Sequence, residues 1–229
     1  MLSDSQIERY SRQIILPQVG GKGQEKLLRA RVLVNGSGPL QTSASFYLAA
    51  AGVGTVGVLA KASSPVFSAF TPDQENAIST ALARLNPDCT VVIHDAAEVT
   101  ALKQIVQGYD LVLSLPDPLH DVCYALRKPF LCAHVSAAGA WVFPCLGYEP
   151  NISCLHCLPQ HFFEEEKGAP PLAALFFGTL LTTEALKFIL GLSHSSSSKL
   201  LLCQFPALHF SEHIICKDLQ CRLCGKIMP

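Results

Sequence analysis

Four of the ten cysteines form two pairs with one spacing, Cys154-Leu155-His156-Cys157 and Cys221-Arg222-Leu223-Cys224. Two C-x-x-C knuckles supply four thiolates, the number and spacing that a tetrahedral structural zinc requires. The gap from 157 to 221 is longer than in compact zinc modules, so such a site would clasp the C-terminal tail to the domain. Buried free thiols or a redox pair are the other uses open to these residues. A second constellation is Asn35-Gly36-Ser37-Gly38, between a short apolar run and an alanine-rich segment. Glycines there let the backbone turn sharply and let a phosphate reach a helix N-terminus, where free N–H groups and the dipole favour an anion. Pro39, Leu40 and Gln41 follow, so the third glycine of a dinucleotide fingerprint is missing; a tight strand–helix connection without ligand is the competing reading. Asp117 lies just past an apolar strand, where open α/β sheets bind ligands. A carboxylate there can hold a magnesium–phosphate pair, or serve as a turn residue between Pro116 and Pro118. Arg9 and Arg12 sit close together near the start, as cationic ligands or as ordinary solvated charge.

The elements that must position these groups follow from periodicity. Residues 31–59 read as strand, glycine turn, helix and second strand, half of a nucleotide-binding βαβ fold. Before them, 3–12 reads as a helix capped by Ser3, 16–23 as a loop and 24–30 as a short helix. After them come a Ser-rich connector over 61–69 and a helix over 71–85 with Thr71 as cap and Pro72 in its first turn. A strand over 90–94, a helix over 99–107 and a strand over 111–113 follow, then strands over 130–134 and 139–146. Residues 164–168 are a charged loop, 171–190 a long apolar helix interrupted by Gly178, 193–198 a flexible link, and 199–205 with 207–215 a closing hairpin. Alternating strands and helices with right-handed crossovers predict an α/β fold. The expected architecture is a Rossmann-like, mainly parallel sheet flanked by helices, with a four-cysteine zinc clasp and C-terminal antiparallel strands.

Composition narrows the function classes. The chain has 229 residues, 49% of them hydrophobic and only 15% charged, against about 25% charged in typical domains. Such an apolar surface is expected to be partly covered by another subunit. A formal net charge of -1 offers no basic field for nucleic acid. The chain has no uninterrupted apolar run of about 18 residues, so no membrane span is expected. The charged N-terminal segment lacks the apolar core of a secretory signal, which points to the cytoplasm. Disulfides are rare in that compartment, and Cys89, Cys123, Cys132, Cys145, Cys203 and Cys216 are expected to act as small hydrophobes.

The order of these signals resembles the ThiF/MoeB/HesA branch of the ubiquitin-activating-enzyme superfamily over nearly the whole chain. The resemblance rests on Arg9-Tyr10-Ser11-Arg12-Gln13-Ile14-Ile15-Leu16, residues 31–57, Asn86-Pro87, Asp117 and Lys128-Pro129. It continues through Cys154-x-x-Cys157, Glu184-Ala185-Leu186-Lys187 and Cys221-x-x-Cys224-Gly225. It implies one domain over 1–229: an N-terminal helical arm (1–30), a nucleotide-binding-type half (31–135) and a zinc-clasped half (136–229). It further implies a homodimer with a structural zinc on Cys154, Cys157, Cys221 and Cys224, binding ATP-Mg. Such enzymes adenylate the C-terminal glycine of a ubiquitin-like or sulfur-carrier protein. Arg12 matches the arginine that reaches into the neighbouring subunit's ATP site, Asp117 the aspartate serving magnesium and the phosphates, and Gly36 and Gly38 the glycine loop.

The departures cluster at the nucleotide. The family's Gly-x-Gly-Gly-Leu-Gly stands here as Gly36-Ser37-Gly38-Pro39-Leu40-Gln41, and Lys61 lies where a ribose-binding acid is expected. The segment that carries basic residues for the triphosphate is shortened to 62–70 with Ser63 and Ser64, and Asp73-Gln74-Glu75 replaces a lysine. Each lost charged contact would remove about 1.5–3 kcal/mol, so three would weaken binding by several powers of ten. The expectation is a degenerate ATP site, weak or absent adenylation, and action by binding a ubiquitin-like protein, a sulfur carrier or an active homologue: a pseudoenzyme. The alternative is a working adenylyltransferase.

Overall fold

The computed structural model describes residues 1–36, 38–59, 77–95, 99–146, 148–163, 171–192, 198–205 and 207–225. Eight strands form one sheet in the order β3-β2-β1-β4-β5-β6-β7-β8. They are β1 (Arg31–Asn35), β2 (Thr55–Leu59), β3 (Thr90–His94), β4 (Leu111–Ser114), β5 (Phe130–Val135), β6 (Gly139–Cys145), β7 (Lys199–Gln204) and β8 (His209–Ile214). The first five pair in parallel, and β5 to β8 pair antiparallel. The closing hairpin therefore extends the main sheet.

Side-chain alternation in the central strands builds two cores. Val32, Val34, Leu111 and Leu113 face one side, where they pack with Ala44, Leu48, Phe177 and Leu181. Leu33 and Val112 face the other, with Val106, Tyr109, Val122, Phe130 and Trp141. A strand buried on both faces has no polar positions, which is why 32–34 reads as an unbroken apolar run.

The first core is covered by α4 (Gly38–Ala50) and α8 (Pro171–Leu190). Gly178 does not interrupt α8; it is where the two helices touch. A Cβ there would lie 2.6 Å from Leu40 O and 2.8 Å from Ser43 Cβ. Ser43 Oγ donates to Leu175 O at 2.7 Å, and Thr182 Oγ1 lies 3.4 Å from Ala44 O. Among the described residues α8 is the one helix long and apolar enough to cross a membrane by length and composition, yet Ala174, Phe177, Gly178, Leu181, Thr182 and Ala185 are buried inside the protein. The opposite face carries α6 (Val99–Gln107) and α7 (Leu119–Ala125). Helix α7 was not foreseen, because seven residues give too little periodicity to register.

The N-terminal region departs from expectation in two places. The helix expected over 3–12 is two, α1 (Asp4–Arg9) and α2 (Ser11–Ile14). Ser3 caps α1 as expected, its Oγ accepting from Gln6 N at 3.2 Å. The break falls at Tyr10, 1% exposed, whose hydroxyl donates to Asn86 Oδ1 and Asp88 Oδ2 at 3.2 and 3.0 Å and accepts from Asn86 Nδ2 at 2.8 Å. Burial of that ring bends the chain against its local preference. The expected loop over 16–23 gives way to α3 (Gly20–Arg29) from its fifth residue. Gly23 there lies against Leu190, so packing on α8 outweighs glycine's poor helix propensity. The helix expected over 71–85 is described as α5 (Ala77–Leu85). Residues 71–76, the connector over 61–69, the charged loop and 193–197 lie outside the described residues. Cys89, Cys123, Cys132, Cys145 and Cys203 are buried, whereas Cys216 is exposed and is not the core residue expected.

Candidate functional site

Strands β1 and β4 are neighbours, and the chain leaves them towards opposite faces, into α4 after β1 and α7 after β4. This divergence is the topological switch point of an open parallel sheet, the place where a crevice opens at the strand ends. Gly36 and Gly38 stand on one side of it with φ of +140° and +76°, conformations that favour glycine. Asp117 stands on the other. Asn35, the last residue of β1, joins the sides: its Nδ2 donates to Asp117 Oδ2 and, at 2.9 Å, to Ser114 Oγ. Asp117 Oδ1 accepts Leu119 N at 2.9 Å. The structure thus sets Gly36, Gly38 and Asp117 on the two segments that leave β1 and β4, with Asn35 bonded across to Asp117.

Gln41 occupies the third-glycine position. It is 2% exposed, and its Nε2 donates to Leu59 O at 3.2 Å. The side chain spans from the first turn of α4 to the end of β2, at the position where a glycine would serve close packing of helix on strand. Arg12 is exposed on α2, and no ion pair joins it to Asp117 among the described residues. Its arm is tethered beside it, where Arg9 Nε meets Asp88 Oδ2 at 3.1 Å. Lys61, Ser63, Ser64 and Asp73-Gln74-Glu75 lie outside the described residues.

The two knuckles converge although 67 positions separate their partners. Sγ–Sγ distances are 3.9 Å for Cys154–Cys157, 3.6 Å for Cys154–Cys221 and 3.3 Å for Cys157–Cys224. Sulfurs placed tetrahedrally about 2.3 Å from one zinc would stand about 3.8 Å apart. Cys154, Cys221 and Cys224 are buried, with Tyr124, Tyr148 and Leu223 around them. The Cys154 thiol hydrogen-bonds to Cys157, holding the Cys157 pKa down to about 5, while that same contact and burial push Cys154 far up. The Cys157 thiolate is favoured while Cys154 and Cys224 resist ionising, a strain that a shared cation relieves. The four cysteines can hold a metal ion, and the all-sulfur set fits zinc, whose contribution there is a cross-link between the two segments.

A second group went unnoticed in the sequence. His120 and Asp121 on α7 and His156 inside the first knuckle bring their donor atoms within 4.8 Å of one another. The available signals were two polar residues in an otherwise apolar stretch two positions after Pro118, and a histidine between metal-type cysteines.

A sequence model of the ThiF family matches residues 10–59 and 73–223. The heterocyst protein HesA of Trichormus variabilis is 30% identical over 250 aligned positions, covering 100% of this chain and 92% of that protein. The molybdopterin-synthase adenylyltransferase of Salmonella typhimurium is 32% identical over 249 positions, covering 98% and 99%. The sulfur carrier protein adenylyltransferase of Thermus thermophilus is 30% identical, covering 96% and 91%. Among solved structures, E. coli MccB superposes with a TM-score of 0.75 at 18% identity, over 96% of this chain and 73% of that one. PaaA gives 0.75 at 18%, over 95% and 76%; both share the fold.

Proposed function

Because the chain belongs to the ThiF family, we propose that it is a member with a degenerate nucleotide site, weak or silent in adenylation, that acts by binding a partner protein. The partner class is a ubiquitin-like or sulfur-carrier protein, by analogy with relatives named as adenylyltransferases of such proteins, or an active homologue. The observation that carries the reading is Gln41. A buried side chain bonded to Leu59 O stands where the family glycine would let helix and strand pack closely behind the phosphate loop, so the packing that positions this loop differs from the family's. Two further observations support it. The family match skips 60–72, the stretch in which Ser63 and Ser64 stand where basic residues are expected. The 249-position alignment with the Salmonella relative is longer than this 229-residue chain, so that relative carries residues with no counterpart here. A triphosphate needs cations and oriented donors to offset its desolvation, and this chain supplies fewer.

A working adenylyltransferase is the competing reading, favoured by Asp117, Gly36 and Gly38 at the switch point. In that case Arg12 and Asp117 would serve the phosphates, with Arg12 contributed across a homodimer. Under both readings we assign structural zinc to Cys154, Cys157, Cys221 and Cys224, and a dimeric, cytoplasmic protein. Calorimetric titration with ATP-Mg, followed by pyrophosphate exchange with carrier proteins ending in Gly-Gly, separates the two. Binding weaker than millimolar with no partner-dependent exchange is expected. Micromolar binding with exchange that Asp117→Ala abolishes would establish the working enzyme instead.

A further inference from the structure

One short helix connects the Asp117 loop to the cysteine clasp. At its N-terminal side Asp117 Oδ1 accepts the Leu119 amide at 2.9 Å, and Asp117 O accepts the His120 amide at 3.3 Å. The next two side chains of α7 turn to the clasp. His120, 2% exposed, accepts the Leu155 amide on Nε2 at 3.3 Å. That bond fixes the tautomer: the proton sits on Nδ1, which faces Asp121 Oδ1 at 3.3 Å. Asp121 Oδ1 also lies 2.6 Å from His156 Nε2, and Arg222 Nη2 approaches the same nitrogen at 3.3 Å. Leu155 and His156 are the residues between Cys154 and Cys157, and Arg222 lies between Cys221 and Cys224. One turn further on, Tyr124 packs against Cys154, Cys221 and Cys224. The first knuckle is therefore held by α7 within four residues of Asp117, and the second through Tyr124 and through Arg222 on His156.

We propose that His120 and Asp121 are positioning residues that couple the clasp to Asp117, so that the metal-bound order of the two knuckles holds α7, and α7 in turn holds the Asp117 carboxylate at the switch point. The proposal rests on the clasp binding a metal and deepens the functional reading only by naming what fixes Asp117. Each link is a hydrogen bond between groups that are separated by 35 positions in the chain, so the local sequence cannot make the connection by itself. A second metal ion on His120, Asp121 and His156 is the rival use of these side chains. The Leu155 amide counts against it, because it occupies the Nε2 lone pair and leaves a proton, not a lone pair, on the nitrogen facing Asp121. Burial keeps the His120 ring neutral, its pKa pushed down to about 4, so the ring bridges as a neutral donor and acceptor.

The test is amide hydrogen exchange on the full-length, metal-loaded protein, read over residues 115–125 with the β1 core as an internal reference. No nucleotide is needed, so the outcome is independent of whether ATP binds. Removing the metal with a chelator is expected to raise exchange over 115–125 about tenfold relative to the β1 reference, and restoring zinc to reverse it. Asp121→Ala is expected to give the same acceleration with one zinc still bound per chain. Asp121→Asn, which keeps a carbonyl oxygen for His156 and His120, is expected to restore protection, whereas Asp121→Leu, which fills the space without an acceptor, is expected to exchange as fast as Asp121→Ala; a protected Asp121→Leu protein would overturn the hydrogen-bonded link. Unchanged exchange over 115–125 after metal removal would overturn the coupling. So would an Asp121→Ala protein as protected as the parent, or a second zinc per chain that disappears in that variant.

Discussion

Substituting alanine at two helical glycines should move stability in opposite directions. Gly178 lies in α8 with its would-be Cβ 2.6 Å from Leu40 O and 2.8 Å from Ser43 Cβ. The nearest atom is backbone in the first turn of α4, so no flexible side chain can give way, and the helices must part. Overpacking of this kind destabilises by about 1–3 kcal/mol. Parting also stretches the Ser43 Oγ to Leu175 O bond, now 2.7 Å, for about 1 kcal/mol more. Alanine's better helix propensity returns about 1 kcal/mol. The net expectation for Gly178→Ala is about 2 kcal/mol of destabilisation, or roughly 4–8 °C in Tm for a chain of this size. Gly21 lies in α3 with nothing within 4 Å of its would-be Cβ; Gly21→Ala keeps only the propensity gain, about 0.5–1 kcal/mol, and should raise Tm by a few degrees. Thermal melts of the three proteins, followed by circular dichroism in one buffer, measure both. A Gly178→Ala protein that melts at or above the parent would refute the close packing of α4 and α8. A Gly21→Ala protein that melts below it would refute the placement of Gly21 in an open helix face.

Other expectations concern the clasp, the arm and pH. Cys221→Ser should bring zinc, measured by atomic absorption on the pure protein, clearly below one per chain; unchanged, tightly held metal would dissolve the clasp. Tyr10→Phe should destabilise by about 1–3 kcal/mol in urea melts, because buried Asn86 loses its hydroxyl partner; an unchanged midpoint would mean that the network contributes nothing. Burial, then the charge of Arg31, lower the pKa of His94 in the folded protein. As pH falls below about 6.5 the unfolded chain takes up that proton first, so the stability tied to His94 is full above 6.5 and declines below it. His94→Gln should therefore lose less Tm than the parent between pH 7 and pH 5.5, and parallel curves would contradict the shift.

What the sequence by itself determined is what short-range pattern encodes. The unbroken apolar run at 32–34, the glycine turn after it and the alternation that follows specify a buried parallel strand and its helix, because period and turn chemistry are properties of neighbouring residues. The spacing within each C-x-x-C pair specifies a metal-type knuckle for the same reason. That the two knuckles meet in one clasp was expected from the sequence; the tertiary structure decided the register, with Cys154 beside Cys221 at 3.6 Å and Cys157 beside Cys224 at 3.3 Å once the sheet and its hairpin form. It also broke the opening helix at Tyr10, whose burial against Asn86 and Asp88 outweighs the helical preference of 3–12, and it started α3 at Gly20, because α8 offers a surface that accepts Gly23. Gln41 reads in the sequence as a missing glycine; its bond to Leu59 O, which turns the absence into a buried tie between helix and strand, required β2 and α4 to be placed side by side. His120, Asp121 and His156 stand out locally only as polar residues in apolar or cysteine-flanked settings; their meaning lies in contacts across 35 positions, and no periodicity reports a hydrogen bond between groups that only the folded sheet brings together.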